Sequence, residues 1–163
     1  MFIVPDTQAN LIRQSLLDKN ETIAVAESVT AGLLQHALST IPDASRFWQG
    51  GITAYNVAQK FKHLRVEPLH ALAVNCVSEQ VAQQMALHAC DLFSSQWGVG
   101  ITGYATPQPE WGNELIAYFA IAHDGRIVCS EKINIPEDAE PTSVQQEYTE
   151  KVIRELVRHL SGM

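Results

Sequence analysis

Residues 77–103 read VSEQVAQQMALHACDLFSSQWGVGITG, and this stretch decides the fold. Ser78 can cap a helix by offering its hydroxyl to a free backbone amide. Ala82, Met85, Ala86, Ala89 and Phe93 then recur on one stripe, which predicts a helix over Glu79–Phe93. Trp97–Ile101 follows as a short apolar strand and ends in Thr102-Gly103. A long helix feeding a buried strand points to a layered α/β domain.

Working outward, the same alternation continues on both sides. Toward the N-terminus, Asp6 is placed to cap a helix over about Thr7–Asn20, with Ala9, Ile12 and Leu16 on one face. Thr22–Ala26 reads as a buried strand. Thr30 to Thr40 reads as a helix carrying Leu34, Ala37 and Leu38, followed by Ile41 and closed by Pro42-Asp43. Gly50-Gly51 open a second strand through Tyr55, and a short helix follows around Val57–Leu64. Toward the C-terminus, Tyr104–Gly112 holds Pro107, Pro109 and Gly112 and reads as a loop. Asp124-Gly125 between the runs Glu114–His123 and Arg126–Ile135 predicts a hairpin. Pro141-Thr142 start the last helix. Thr142-x-x-Gln145 has the capping-box pattern, and Val144, Tyr148, Val152, Leu156 and Leu160 share one side. The expected fold class is α/β: a three-layer α/β/α sandwich around a mixed β-sheet, one domain over residues 1–163.

Composition limits the function classes. The 163 residues are 46% hydrophobic and 18% charged, which excludes a disordered or low-complexity chain. The net charge is −7 and there is no basic run, so no nucleic-acid partner is expected. The longest apolar run, Leu115–Ala122, falls far short of the roughly 20 residues of a membrane span, so no membrane partner is expected either. The opening Met-Phe-Ile-Val-Pro-Asp does not read as a signal peptide. Cys76, Cys90 and Cys129 form no CxxC pair and read as buried thiols of a reducing compartment, which makes the expected localisation cytoplasmic. His36, His63, His70, His88, His123 and His159 are scattered without metal-ligand spacing, so no metal is expected.

Ligand sites in open α/β sheets lie outside the carboxyl ends of the strands. Three strand ends here carry polar segments: Glu27–Gly32, Tyr55–Lys60 and Thr102–Pro107. In the first, Ser28 is either a nucleophile on a strand-to-helix turn or, like Thr30, an ordinary helix cap. In the second, Lys60 is either a desolvated base for such a serine or a solvated charge. The third carries neither a Walker pattern nor GxGxxG, so it supports no triphosphate or dinucleotide site. Tyr104 and Trp111 either stack on a ligand ring or anchor the loop.

These segments, in this order, resemble the CinA C-terminal domain family, the nicotinamide mononucleotide amidohydrolases. The family pattern Ala-Glu-Ser-Cys-Thr-Gly-Gly is matched by Ala26-Glu27-Ser28-Val29-Thr30-Ala31-Gly32. Its Gly-Gly…Thr-Tyr-Ser-Asn-x-x-Lys is matched from Gly50-Gly51 through Thr53, Tyr55 and Asn56 to Lys60, with a one-residue difference before the Asn. Val77–Ala86 matches Val-Ser-Glu-x-Val-Ala-x-x-Met-Ala in full, and Gly100–Gly103 matches the strand that ends in Thr-Gly. The likeness runs from about residue 7 to residue 160. Longer members carry a further N-terminal domain that these residues do not include.

The resemblance implies hydrolysis of the carboxamide of nicotinamide mononucleotide to the acid, with release of ammonia. It makes Ser28 the nucleophile and Lys60, with Tyr55, the proton carrier. Glu27, Thr30, Gly32, Asn56, Thr102 and Gly103 become substrate-binding residues. It implies no metal or organic cofactor, a small-molecule substrate and a homo-oligomer. The sequence also departs from the pattern. Ala31 replaces a glycine, which costs about 1 kcal/mol if that position has φ > 0. Gly103–Gly112 replaces a glycine-rich loop and brings in Tyr104, Glu110 and Trp111. Glu140-Pro141-Thr142 stands where the family has a Gly-Asp-Arg-type segment, and Arg154 and Arg158 do not align with the missing arginine. Two other readings follow from these departures: a catalytically inactive relative that binds a ligand or a protein, and an amidase for an unphosphorylated substrate. A Lys60 amine within about 3 Å of Ser28 or Tyr55 favours chemistry. A pocket filled by Tyr104 or Trp111 favours the inactive relative.

Overall fold

The computed structural model describes residues 2–163. Six helices and five strands run in the order α1 (Asp6–Lys19), β1 (Ile23–Glu27), α2 (Leu33–Ser39), β2 (Trp48–Thr53), α3 (Val57–Leu64), α4 (Pro68–Ala73), α5 (Glu79–Phe93), β3 (Trp97–Gly103), β4 (Leu115–His123), β5 (Arg126–Ile135) and α6 (Pro141–Ser161). Short 3₁₀ turns at Ala44–Arg46 and Pro109–Trp111 complete the set. The strands form one mixed sheet in the order β2-β1-β3-β4-β5. β1 is parallel to both β2 and β3, whereas β4 and β5 continue as an antiparallel hairpin.

Alternation along the strands sorts the two faces. Ile23 and Val25 of β1 and Trp97, Val99 and Ile101 of β3 join the large core beneath α1, α2 and α6. Ile12, Leu16, Tyr148, Val152 and Leu156 fill that core from the helices. The opposite face is small. Ala24 and Ala26 of β1 pack with Met85 and Ala89 of α5, and Ala120 and Ala122 of β4 pack with Ala82 and Ala86. A Cβ on Gly98 would strike the Ala86 carbonyl, and one on Gly100 would strike the Ala82 carbonyl. The glycines of β3 thus let α5 lie directly on the backbone of the strand. The expected α/β fold with a mixed sheet covered on both faces is what the chain adopts. Among the described residues, no helix is long and apolar enough to cross a membrane. Cys76, Cys90 and Cys129 are buried and unpaired.

Several local expectations need correction. Asp6 is the first residue of α1 rather than its cap, and Pro5 precedes it with extended backbone. α2 begins at Leu33 rather than near Thr30, because Ala31 (φ +51°) and Gly32 (φ +101°) are left-handed and hold the chain out of the helix. β2 spans Trp48–Thr53 rather than running from Gly50 to Tyr55. α4 was not expected. It is short, and its start is marked by Pro68 at the first turn and by Glu67, which accepts from the Leu69 and His70 amides. The capping box on α6 does not form. The helix is preceded by Glu140 without a side-chain cap, and Gln145 instead donates from Nε2 to the Val29 carbonyl at 2.9 Å.

Candidate active site

Because Glu27 pairs with Thr53 on one side and Ile101 on the other, β1, β2 and β3 end side by side. The chain leaves this edge at Ser28, Ala54 and Thr102. Ser28 begins a tight turn closed by Ala31 N–H to the Ser28 carbonyl and Leu33 N–H to the Thr30 carbonyl. Glu27 is fully buried and holds the turn from below. Its carboxylate accepts from Thr30 Oγ1 at 2.6 Å and from the amides of Leu34 and Gln35 at 3.2 and 2.9 Å. An anion at a helix N-terminus is favourable, and here the protein supplies its own.

Lys60 lies on α3, whose start is fixed by Asn56 Oδ1 accepting from the Gln59 amide. Its side chain is completely buried, with 0% exposure. Nζ donates to Ser28 Oγ at 3.0 Å, to the Ala54 carbonyl at 2.7 Å and to the Tyr55 carbonyl at 3.1 Å. Three acceptors match the three protons of an ammonium group. Burial pushes the amine down from the ordinary lysine value to about 8, opposed in part by attraction to Cys76. In the neutral amine, the two carbonyls retain the two N–H bonds and the lone pair is directed at the Ser28 hydroxyl.

A cavity of about 570 Å³ opens above this pair. Ser28, Tyr55, Asn56, Lys60, Thr102 and Gly103 all line it, so the structure brings together six of the nine residues singled out in the sequence. The other three lie outside its lining. Glu27 and Thr30 bond to each other beneath the turn, and Gly32 is the left-handed residue before α2. Tyr55 reaches Lys60 only through its main-chain oxygen, and its side chain is 80% exposed at the rim. Thr102 Oγ1 donates to the Cys76 carbonyl at 2.7 Å. Gly103 lies where a Cβ would meet Ala117 Cβ at 2.6 Å.

The sequence did not flag Ala54, Asn75, Cys76 or Gln145. Asn75 and Cys76 are consecutive left-handed residues (φ +50° and +64°) that carry the chain from α4 into the cavity wall. Burial pushes the Cys76 thiol up, opposed in part by Lys60. Asn75 Nδ2 donates to the Tyr104 hydroxyl at 3.1 Å, and Tyr148 donates its hydroxyl to the Tyr104 carbonyl at 2.8 Å. Tyr104 is therefore a wall of the cavity and leaves it open. Trp111 stands outside it on an exposed turn. Two of the scattered histidines find partners that their spacing does not reveal: His123 lies beside Glu21 and Asp124, and His159 beside Cys129 and Glu155. Glu21 accepts from Trp97 and bonds His123, and Glu155 accepts from Lys151 and Arg158.

With that geometry established, comparison with known proteins identifies the scaffold. A CinA-like protein of Picosynechococcus is 41% identical over 112 residues, which are 69% of this chain and 27% of that protein. One from Nostoc is 35% identical over 133 residues, 79% of this chain and 31% of that protein. The chain thus spans less than a third of the length of these relatives. Among solved structures, a competence-damaged protein (CinA) superfamily protein from Klebsiella pneumoniae superposes with a TM-score of 0.88 at 22% identity, covering 97% of this chain and 98% of that one. Another from Escherichia coli gives 0.85 at 25% identity, covering 97% and 93%. The sequence model of the CinA C-terminal domain matches residues 6–160, and the chain belongs to that family.

Proposed function

We propose that this protein is an amide hydrolase of the class the family resemblance implies, acting on a carboxamide such as that of a pyridine nucleoside or nucleotide. Ser28 is the nucleophile and Lys60 the proton carrier. The observation that carries the reading is the buried amine 3.0 Å from the Ser28 hydroxyl, at the floor of an open cavity. A buried structural cation is best compensated by a carboxylate, whereas Lys60 is bonded to two carbonyls and a serine hydroxyl, and a serine nucleophile needs an adjacent base.

In the neutral form Lys60 Nζ takes the hydroxyl proton as Ser28 Oγ attacks the amide carbon. The carbonyl oxygen becomes an oxyanion. The amides of Ala31, Leu33, Leu34 and Gln35 are already engaged in the turn and the helix start, so the N–H of Val29, which lines the cavity beside Ser28, is the turn donor assigned to it. As the C–N bond breaks, the Lys60 ammonium returns its proton to the departing nitrogen, and ammonia leaves. The Ser28 ester remains. Lys60, neutral again, takes a proton from water as the water attacks the ester. The second oxyanion collapses, Ser28 Oγ departs and is reprotonated by Lys60, and the acid is released.

Ammonia release by the purified protein, measured beside Ser28→Ala, tests this reading. Turnover that vanishes in the variant supports it. Turnover that survives Ser28→Ala, or none on any carboxamide, overturns it.

A further inference from the structure

We infer that the cavity takes an unphosphorylated carboxamide of zero or positive net charge, and that it discriminates against a phosphomonoester. The inference rests on the amide-hydrolase reading and narrows it to a substrate class.

A phosphate is held in proteins by cationic side chains, by free amides at helix starts, or by both. Among the described residues lining the cavity, Lys60 is the one cation. Its three donors are taken by Ser28 and two main-chain carbonyls at the floor. No arginine or histidine lines the walls. The polar groups that do, Thr53, Asn56, Asn75, Thr106, Gln108 and Gln145 among them, are neutral.

Each helix start around the cavity offers fewer free amides than a full helix N-terminus. At α2, the Leu34 and Gln35 amides are bonded to the Glu27 carboxylate, which places a negative charge directly beneath that helix start. At α3, the Asn56 side chain takes the Gln59 amide. At α5, which follows the cavity residue Val77, Ser78 Oγ takes the Val81 amide. At α6, Pro141 lines the cavity and has no N–H to offer, and Glu140 stands immediately before it. The connection that delivers Pro141 reads Pro136-Glu137-Asp138-Ala139-Glu140, with three exposed acids and no base. A phosphate dianion approaching past Pro141 meets like charge from Glu140 and the connection before it, whereas a neutral amide or a cationic pyridinium does not.

The test compares nicotinamide riboside, nicotinamide and nicotinamide mononucleotide. Two readouts are used: ammonia release by the wild-type protein, and calorimetric binding to both wild type and Ser28→Ala. We expect kcat/KM for the riboside to exceed that for the mononucleotide by about tenfold or more, and binding to Ser28→Ala to show the same order. Glu140→Arg is expected to close part of the gap by improving the mononucleotide. A mononucleotide hydrolysed or bound as well as the riboside overturns the charge preference and leaves the hydrolase reading standing. Riboside-selective binding without ammonia release on any substrate overturns the hydrolase reading and sustains the preference. Binding of none of the three overturns both.

Discussion

Lys60 Nζ stands 3.0 Å from Ser28 Oγ, and its other two contacts are the carbonyls of Ala54 and Tyr55. The two carbonyls orient the amine, and the serine is what that orientation points at. A buried lysine bonded to no carboxylate is a poor structural cation, and its neutral amine is well placed as a base.

The first prediction concerns pH. Burial lowers the Lys60 amine to about 8, so the neutral, proton-accepting form grows as pH rises through that value. The rate on a carboxamide should climb close to tenfold per unit below about 8 and level off above it. Stability carries the same sign. Between about pH 8 and the unfolded lysine range the unfolded chain holds more protons, so folding becomes more favourable as pH rises. Below that window both states are protonated and the cost of the buried ammonium is constant. Denaturant titrations at pH 7 and 9.5 on wild type and Lys60→Met check this. A pH dependence unchanged in the variant would assign it elsewhere.

The second separates the two residues that the resemblance pairs. Tyr55 serves Lys60 through its carbonyl while its ring is exposed. Tyr55→Phe should therefore keep kcat within about threefold, with any change falling on KM because the ring lines the rim. Lys60→Met should lower kcat by roughly a thousandfold or more. Steady-state kinetics on both variants decide it, and a Tyr55→Phe loss as deep as that of Lys60→Met would return the phenol to the chemistry.

Ala31 occupies the left-handed region at φ +51° with its side chain exposed. Ala31→Gly removes the Cβ clash and adds backbone entropy to the unfolded chain. The net expectation is a gain of about 0.5–1 kcal/mol, read as a higher denaturant midpoint at constant slope. A lower midpoint would show that the turn tolerates the Cβ without strain.

Glu27 bonds to Thr30 and to two amides of α2 and does not line the cavity. Glu27→Gln keeps the shape and loses the charge, which should cost about 1–3 kcal/mol. Because the residue holds the turn rather than the ligand, KM should stay near that of wild type while thermal stability falls. A raised KM at unchanged stability would place Glu27 against the substrate.

How much of this was legible beforehand varied with the physical signal. α5 and β3 were read to the residue or nearly so, because a stripe of five apolar positions and a capping serine are redundant markers. α4 was invisible to periodicity, since six residues make less than two turns. α6 begins at Pro141 as the sequence indicates, but the Asp6 cap of α1 and the Thr142 capping box of α6 do not form, because both helices begin at proline-containing junctions and those expectations rest on side-chain preference alone. At the site, Ser28 and Lys60 stood out by their strand ends and by family likeness. The carbonyls of Ala54 and Tyr55, which hold the amine, have no side-chain signature to read. Gln145 was assigned to its own helix when its amide reaches the Val29 carbonyl across the fold.

Gly98 and Gly100 leave no room for a methyl group between β3 and α5. Contact this close resists rolling or sliding of the helix on the sheet, which anchors the segment entering it at Asn75–Ser78 at its downstream end. One side of the cavity is therefore inelastic. A ligand of a different outline can be admitted only by redrawing the other side, the Tyr104–Gly112 loop and the acidic connection into α6. A change of ligand outline on this scaffold is therefore channelled into those two stretches.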